Sequence, residues 1–250
     1  MKLRILAAFI FFTRLPLWKI TDVPSRYFKQ IVSGWPMVGW ITGGISAGVL
    51  MGASLVFPPE IAILLMICSR LLLTGCLHED GLADFLDGFG AGKDKCRILS
   101  IMKDSHIGTY GVIGLICYFL FYLFLIRSLP VSLAACAVLA GDPFCKGISS
   151  MIVNRLPYAR KEEESKSKTV YSPMSKPEYA GVAFFSLLPL FWLPSAMYLL
   201  AVIPVLFAWY LLTSFMKKKI QGYTGDCCGA TFLLCEIVFY TGIVLIYIQF

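Results

Sequence analysis

The sequence predicts an all-α polytopic integral membrane protein, a bundle of about seven transmembrane helices preceded by an N-terminal interfacial helix. Three observations carry this. Hydrophobic residues make up 58% of the 250 residues and charged residues only 15%, against about 45–50% and about 25% in soluble domains. Mean hydropathy is +0.76. Apolar runs long enough to cross a bilayer core recur along the chain, each needing roughly 20 residues as helix. The composition excludes disorder, a collagen-like repeat and a small disulfide scaffold. It also leaves a soluble globule too few polar residues to coat its surface.

The N-terminal run, residues 3–12, stops at Thr13-Arg14-Leu15-Pro16. No small-x-small cleavage site follows, so it reads as an interfacial helix rather than a signal peptide. Seven spans follow, at about 35–57, 60–77, 107–127, 130–151, 180–193, 195–215 and 229–250. Gly39, Gly43, Gly44, Gly48 and Gly52 in the first span form overlapping G-x-x-x-G steps, the pattern of close helix packing. One transferase domain is expected to cover residues 1–250.

Charge tests the topology. Lys2, Arg4, Arg14, Lys19, Arg26 and Lys29 precede the first span. The 78–106 loop carries Lys93, Lys95, Arg97 and Lys103, and the 152–179 loop carries Arg155, Arg160, Lys161, Lys166, Lys168 and Lys176. Lys217, Lys218 and Lys219 precede the last span. The seven-span reading puts all four segments on one face, which the positive-inside rule makes the cytoplasm, with the N-terminus inside. Of the 15 acids only Glu60 falls on the outer face, so the chemistry belongs to the cytoplasmic side. The net charge of +7 then reports topology and not a nucleic-acid partner; the lipid bilayer is the expected surrounding. None of the nine cysteines forms a C-x-x-C pair, so a zinc ribbon or thioredoxin-type motif has no support.

The most informative segment is His78-Glu79-Asp80-Gly81-Leu82-Ala83-Asp84-Phe85-Leu86-Asp87-Gly88. Asp80, Asp84 and Asp87 stand at i, i+4 and i+7, one face of a helix. Carboxylates packed this way repel unless a cation neutralises them. Hard oxygen ligands suit Mg²⁺, which keeps positions for phosphate oxygens. His78 reads as a zinc ligand, a base or a hydrogen-bonding group; with two histidines in the chain zinc is disfavoured, and a substrate contact or supporting role is preferred. Arg97 and Lys103 are suited to phosphate. Asp104 is either a further metal ligand or a cap for the third span. Asp226 likewise reads as a ligand or a helix cap, and Glu236, inside the last span, as an acid facing a polar cavity. Asp142 and Lys146, at i and i+4, form an ion pair, or Lys146 reaches a phosphate. Acids for a divalent metal and bases for phosphates, on a membrane floor, fit transfer of a phosphate-linked group from a nucleotide-activated donor to a hydroxyl.

At these residues the chain resembles the cobalamin-5′-phosphate synthase family (adenosylcobinamide-GDP ribazoletransferase). The likeness begins at Phe12-Thr13-Arg14-Leu15-Pro16 and Trp35-Pro36-Met37-Val38-Gly39. It continues through Leu73-Thr74-Gly75, the intact H-x-D-G-L-A-D-x-x-D-G from His78 to Gly88, and the segment from Ile101 to Gly111. Tyr158-Ala159-Arg160, Thr224-Gly225-Asp226, Gly229-Ala230 and Glu236 complete it.

The resemblance implies adenosylcobinamide-GDP as donor and α-ribazole or its 5′-phosphate as acceptor. GMP leaves, adenosylcobalamin or its 5′-phosphate forms, and Mg²⁺ is required. It also implies a bacterial or archaeal cytoplasmic membrane. A homo-oligomer is compatible with it. The metal candidates are then Asp80, Asp84, Asp87, Asp104 and Asp226, one of them free to take the acceptor's proton. The substrate contacts are Arg14, Arg97, Lys103, Lys146, Arg160, Thr224, Asp226 and Glu236, with His78 beside them.

Cys76 replaces a common glycine of the family, Glu79 a common leucine and His106 a common arginine. Cys145-Lys146 stands where Ser-Arg is frequent, and Glu162-Glu163-Glu164 follows Arg160 in place of a glycine-rich stretch. Two rivals remain. A CDP-alcohol phosphotransferase needs an arginine after D-G-x-x-A, where Asp84 stands here. An ion-coupled transporter predicts acids near the midplane and internal repeats, neither of which the sequence displays.

Overall fold

The computed structural model describes residues 2–160 and 170–249. Lys161, Lys166, Lys168 and the acids Glu162 to Glu164 lie outside the described residues. Eleven α-helices follow in order among the described residues. They are α1 (Lys2–Phe12), α2 (Trp35–Ala53), α3 (Pro59–Thr74), α4 (Leu77–Ala91), α5 (Lys95–Lys103) and α6 (Thr109–Arg127). The rest are α7 (Val131–Ser150), α8 (Ile152–Arg155), α9 (Lys176–Leu187), α10 (Val202–Ile220) and α11 (Gly225–Gln249). No strand is present among these residues; the nearest thing is an isolated parallel bridge between Tyr158 and Tyr223. The protein is an all-α polytopic membrane protein.

Five helical stretches are long and apolar enough to cross a membrane, namely Ser25–Ala53, α6, Val131–Arg155, Ala196–Ile220 and α11. A sixth is the bent pair α3 and α4, whose axes meet at 90°. By length and apolarity five or six of the seven expected spans qualify as membrane-crossing helices, and two of the seven differ in form. The predicted span at 180–193 is a 12-residue helix, α9, followed by the 3-10 turn Leu188–Trp192. Pro189 enters that turn and Pro194 follows it; each lacks an N–H and neither extends an α-helix. The span at 60–77 is the first half of the bent pair.

The bend has a local cause. Gly75 (φ 64°) and Cys76 (φ 59°) are both left-handed, so the chain turns sharply within two residues. What read as the start of a 78–106 loop is α4 and α5. Leu82, Phe85 and Gly88 bury one side of α4 against α5, α6 and α11. Asp94 caps α5 by accepting from the Arg97 N–H at 3.0 Å.

The basic loops nevertheless gather at one end. Lys95 donates to Gln221 at 3.5 Å, Arg155 to Ser214 at 3.4 Å and Arg160 to the Leu99 carbonyl at 2.8 Å. At the other end Arg127 pairs with Glu60 at 2.5 Å. The glycine-rich face of α2 packs on α7, where a Cβ at Gly39 would come within 2.5 Å of the Pro143 Cα. The close-packing reading of those glycines holds at Gly39 and Gly43; Gly48 and Gly52 face open space.

Candidate active site

The entrances of α4 and α11 touch backbone to backbone, and glycine permits it. A Cβ on Gly81 would lie 3.1 Å from the Asp226 Cα and carbonyl oxygen, and one on Gly229 3.2 Å from the His78 carbonyl oxygen. This contact puts Asp80 and Asp226, 146 residues apart in sequence, on the wall of one cavity of about 340 Å³. His78 and Arg160 share that wall. The rest of the lining is largely aromatic: Phe11, Phe12, Trp35, Tyr158 and Tyr171. Phe12, Trp35 and His78 form a stack, with ring centroids 5.1 and 5.6 Å apart along it. Trp35 Nε1 and His78 Nε2 are buried without a hydrogen-bond partner. Burial pushes the Tyr171 phenol up, so it stays a neutral group at pH 7.

The segment carrying Arg160 is sewn to the α11 entrance. Tyr223 N–H donates to the Pro157 carbonyl at 3.0 Å, and Ala159 N–H to the Tyr223 carbonyl at 2.8 Å. Thr224 is fully buried and caps α11, accepting from the Cys227 N–H at 3.4 Å. The cap of α11 is thus Thr224, with Asp226 in the first turn.

The three motif aspartates do not converge. Asp80 and Asp87 are about 10 Å apart along the helix axis, seven residues at 1.5 Å each. Asp84 lies between them, half-buried. Asp87 is buried and accepts the Gly108 N–H at 2.7 Å and the Gly111 N–H at 2.9 Å. It ties the α6 entrance to α4. A second cavity, about 390 Å³, is lined by Asp87, Arg97, Asp104 and His106. Asp104 is exposed there, and hydrogen bonds from the His106 ring and N–H hold its carboxyl below the ordinary carboxylate range. Asp104 does not cap α6, whose N-cap is Gly108. Lys103 is exposed at the end of α5. Among the described residues no three His, Cys, Asp or Glu side chains stand together as a metal cage.

Arg14 stands apart, in a cavity of about 270 Å³ with Trp18 and Thr74. Its backbone N–H donates to the Leu73 carbonyl at 2.7 Å, and its guanidinium lies over Gly75. Arg14 therefore braces the α3–α4 bend. This cavity adjoins the first one, since Phe11 and Leu77 line both.

Lys146 and Glu236 are fully buried behind the site. Lys146 pairs with Asp142, donates to the Thr42 hydroxyl at 2.9 Å and lies 4.3 Å from the Phe232 ring centroid. The helical ion pair is what forms. Glu236 accepts two hydrogen bonds from Arg70, at 2.7 and 2.8 Å, and one each from Tyr118 and Tyr240, both at 2.9 Å. Glu79 lies 3.6 Å from Arg70, and neither of its buried oxygens accepts a hydrogen bond. Sequence reading missed Arg70, Tyr118 and the aromatic wall. A lone arginine within an apolar run was the available signal for the first; the rings of the wall come from four separate segments with no common period, so their convergence was not legible.

The chain matches the family model described as cobalamin-5-phosphate synthase over residues 4–244. It is 36% identical over 238 residues to a protein of Pseudoalteromonas atlantica named adenosylcobinamide-GDP ribazoletransferase, covering 94% of this chain and 88% of that one. Proteins of the same name from Vibrio parahaemolyticus and Leptospira interrogans are 34% and 33% identical. Those alignments cover 97% and 96% of this chain and 92% and 94% of theirs. No solved structure matches the chain significantly. A match across nearly the whole length, with the acidic helix and the α11 entrance inside it, leads to one conclusion: the chain belongs to the cobalamin-5-phosphate synthase family.

Proposed function

We propose that this protein is an adenosylcobinamide-GDP ribazoletransferase acting at a late step of cobalamin biosynthesis, with residues 1–250 working as one transferase domain. The single observation that carries the chemistry is that Asp80, Asp226 and Arg160 open onto one cavity at the α4–α11 junction. A ribose hydroxyl of α-ribazole, or of its 5′-phosphate, forms a bond to the phosphorus next to cobinamide. The bond from that phosphorus to the bridging oxygen breaks, and GMP leaves with that oxygen. The hydroxyl proton passes to a carboxylate of the cavity wall. Arg160, held by the Leu99 carbonyl, is set to meet a phosphate oxygen.

The donor set fits Mg²⁺. Two carboxylates at the cavity, with Asp84 one turn away, are fewer than a protein cage needs. They suit an ion that takes one or two carboxylates and completes its shell with water and substrate phosphate. When bound, Mg²⁺ neutralises charge on the diphosphate. Asp80 and Asp226 would hold it, with Asp84 in support. The gathering of Lys95, Arg155 and Lys217 to Lys219 at the same end supports an active site that faces the cytoplasm of a bacterial or archaeal cell, with the N-terminus inside.

The test is GMP release from adenosylcobinamide-GDP by purified protein in lipid, with and without α-ribazole 5′-phosphate and Mg²⁺. Release that needs both, with a corrinoid product of matching mass, is expected. No release from folded protein overturns the assignment.

A further inference from the structure

We infer that Arg14 holds the 5′-phosphate of the acceptor nucleotide and thereby favours it over the free nucleoside; this rests on the transferase reading above.

The cavity at Arg14, about 270 Å³, shares Phe11 and Leu77 with the reaction cavity. Leu77 and Asp80 are three residues apart in α4. They are neighbours on one helix face, about 4.5 Å apart along its axis. The charges of Arg14 and Asp80 both act on the Cys76 thiol at the bend. A ligand can therefore place one group at Asp80 and another at Arg14. The acceptor is such a ligand, because its 5′-phosphate and its attacking hydroxyl hang on a single ribose.

Arg14 is prepared for an anion. Its backbone N–H donates to the Leu73 carbonyl at 2.7 Å. The neighbouring Leu15 N–H donates to the hydroxyl of buried Thr13 at 3.3 Å. The guanidinium rests on Gly75, where any Cβ would strike it. It makes no hydrogen bond or ion pair among the described residues, and no acid among them lines its cavity. A planar fork held this way meets two phosphate oxygens with little ordering left to do.

Charge decides which phosphate it meets. Asp80 and Asp226 line the reaction cavity, and Arg160 is the one arginine or lysine lining it among the described residues. These groups serve the diphosphate of the donor and the proton of the hydroxyl. A further phosphate, carrying close to two negative charges at pH 7, is repelled by those carboxylates. It needs a cation outside that wall but within reach of the same ribose. Arg14 meets both conditions. Arg97 does not: its cavity opens at Asp87, about 10 Å beyond Asp80 along α4.

The experiment measures kcat/KM for α-ribazole 5′-phosphate and for α-ribazole at saturating adenosylcobinamide-GDP. Maltoside micelles are used, so that no lipid phosphate competes for Arg14. The unaltered protein is expected to prefer the phosphorylated acceptor. Arg14→Gln should lower that preference by about 10-fold, the low end for hydrogen bonds to a charged group. Arg14→Lys keeps the charge without the fork and should lose less. A loosened α3–α4 bend slows both acceptors alike and leaves their ratio as it was. A ratio unchanged in Arg14→Gln overturns the inference, as does an unaltered protein without the preference. A rise in the donor KM alone gives Arg14 to the diphosphate and overturns it too. Should Arg14→Gln fail to fold, Arg14→Lys carries the test, with a smaller fall expected and no fall overturning the inference. Equilibrium dialysis of both acceptors separates the two readings. Binding of the phosphorylated acceptor that Arg14→Gln weakens, in a protein that releases no GMP with either one, keeps the subsite and removes the reaction. GMP release with both acceptors, at a ratio that Arg14→Gln does not change, keeps the reaction and removes the subsite.

Discussion

Arg70 and Glu236 meet through two hydrogen bonds, at 2.7 and 2.8 Å, in the packed interior between α3 and α11. The pair closes a network with Tyr118 and Tyr240, and the Arg70 guanidinium lies 5.0 Å from the Tyr122 ring centroid. It fastens the first half of the bent helix pair to the helix that carries Asp226. Arg70→Met leaves Glu236 charged and buried without its cation, a loss of about 3–5 kcal/mol. Arg70→Met combined with Glu236→Leu should recover most of it, because no unpaired charge remains. Thermal melts in detergent check this; a double variant no more stable than the single one would refute the pairing.

Asp80→Asn and Asp226→Asn should each cut GMP release by at least about 100-fold, the range of a lost acid–base or metal-holding group. Melting temperature and membrane insertion should stay near those of the parent, since both side chains open onto the cavity. Near-full turnover in either variant would remove that residue from the chemistry.

Asp87 is expected to behave differently. Its carboxylate holds the Gly108 and Gly111 N–H groups, and Asp87→Ala leaves both donors without their partner, a cost of about 1–3 kcal/mol each where they stay dry. Asp87→Asn keeps one acceptor oxygen and should lose less. Hydrogen exchange at the start of α6 is the measurement; unchanged protection in Asp87→Ala would show that the anchor is dispensable.

Chelation of divalent metal should stop GMP release, and added Mg²⁺ should restore it. Asp226→Asn should raise the Mg²⁺ concentration giving half-maximal rate. Turnover that persists in excess chelator would dismiss the metal.

Cys76 sits at φ 59°, a conformation that costs a residue with a Cβ roughly 1–2 kcal/mol. Cys76→Gly removes that strain and adds about 0.5–1 kcal/mol of unfolded-chain entropy, for a net gain of up to about 1.5 kcal/mol. Gly75→Ala should be far worse, because its Cβ would also strike the Arg14 guanidinium. A Cys76→Gly protein that melts below the parent would contradict this.

The amino-acid order alone determined the membrane class, the ends of most spans, the acidic motif and the family likeness. All of these rest on local properties: runs of apolar residues, charge between them, and residue types at fixed spacing. It also placed Asp80, Asp84 and Asp87 on one helix face, which they occupy. Tertiary structure decided what that face meets. Asp80 joins Asp226 because Gly81 and Gly229 let two helices touch, while Asp87 turns to the α6 entrance. The site residues Phe11, Tyr158 and Tyr171 converge from segments with no shared period. Lys146 and Glu236 were legible as functional charges, yet their partners Thr42 and Arg70 stand 104 and 166 residues away. The physical reason is that a helical period reports which side of a helix is apolar or charged, whereas the partner of a buried charge is set by close packing between distant segments.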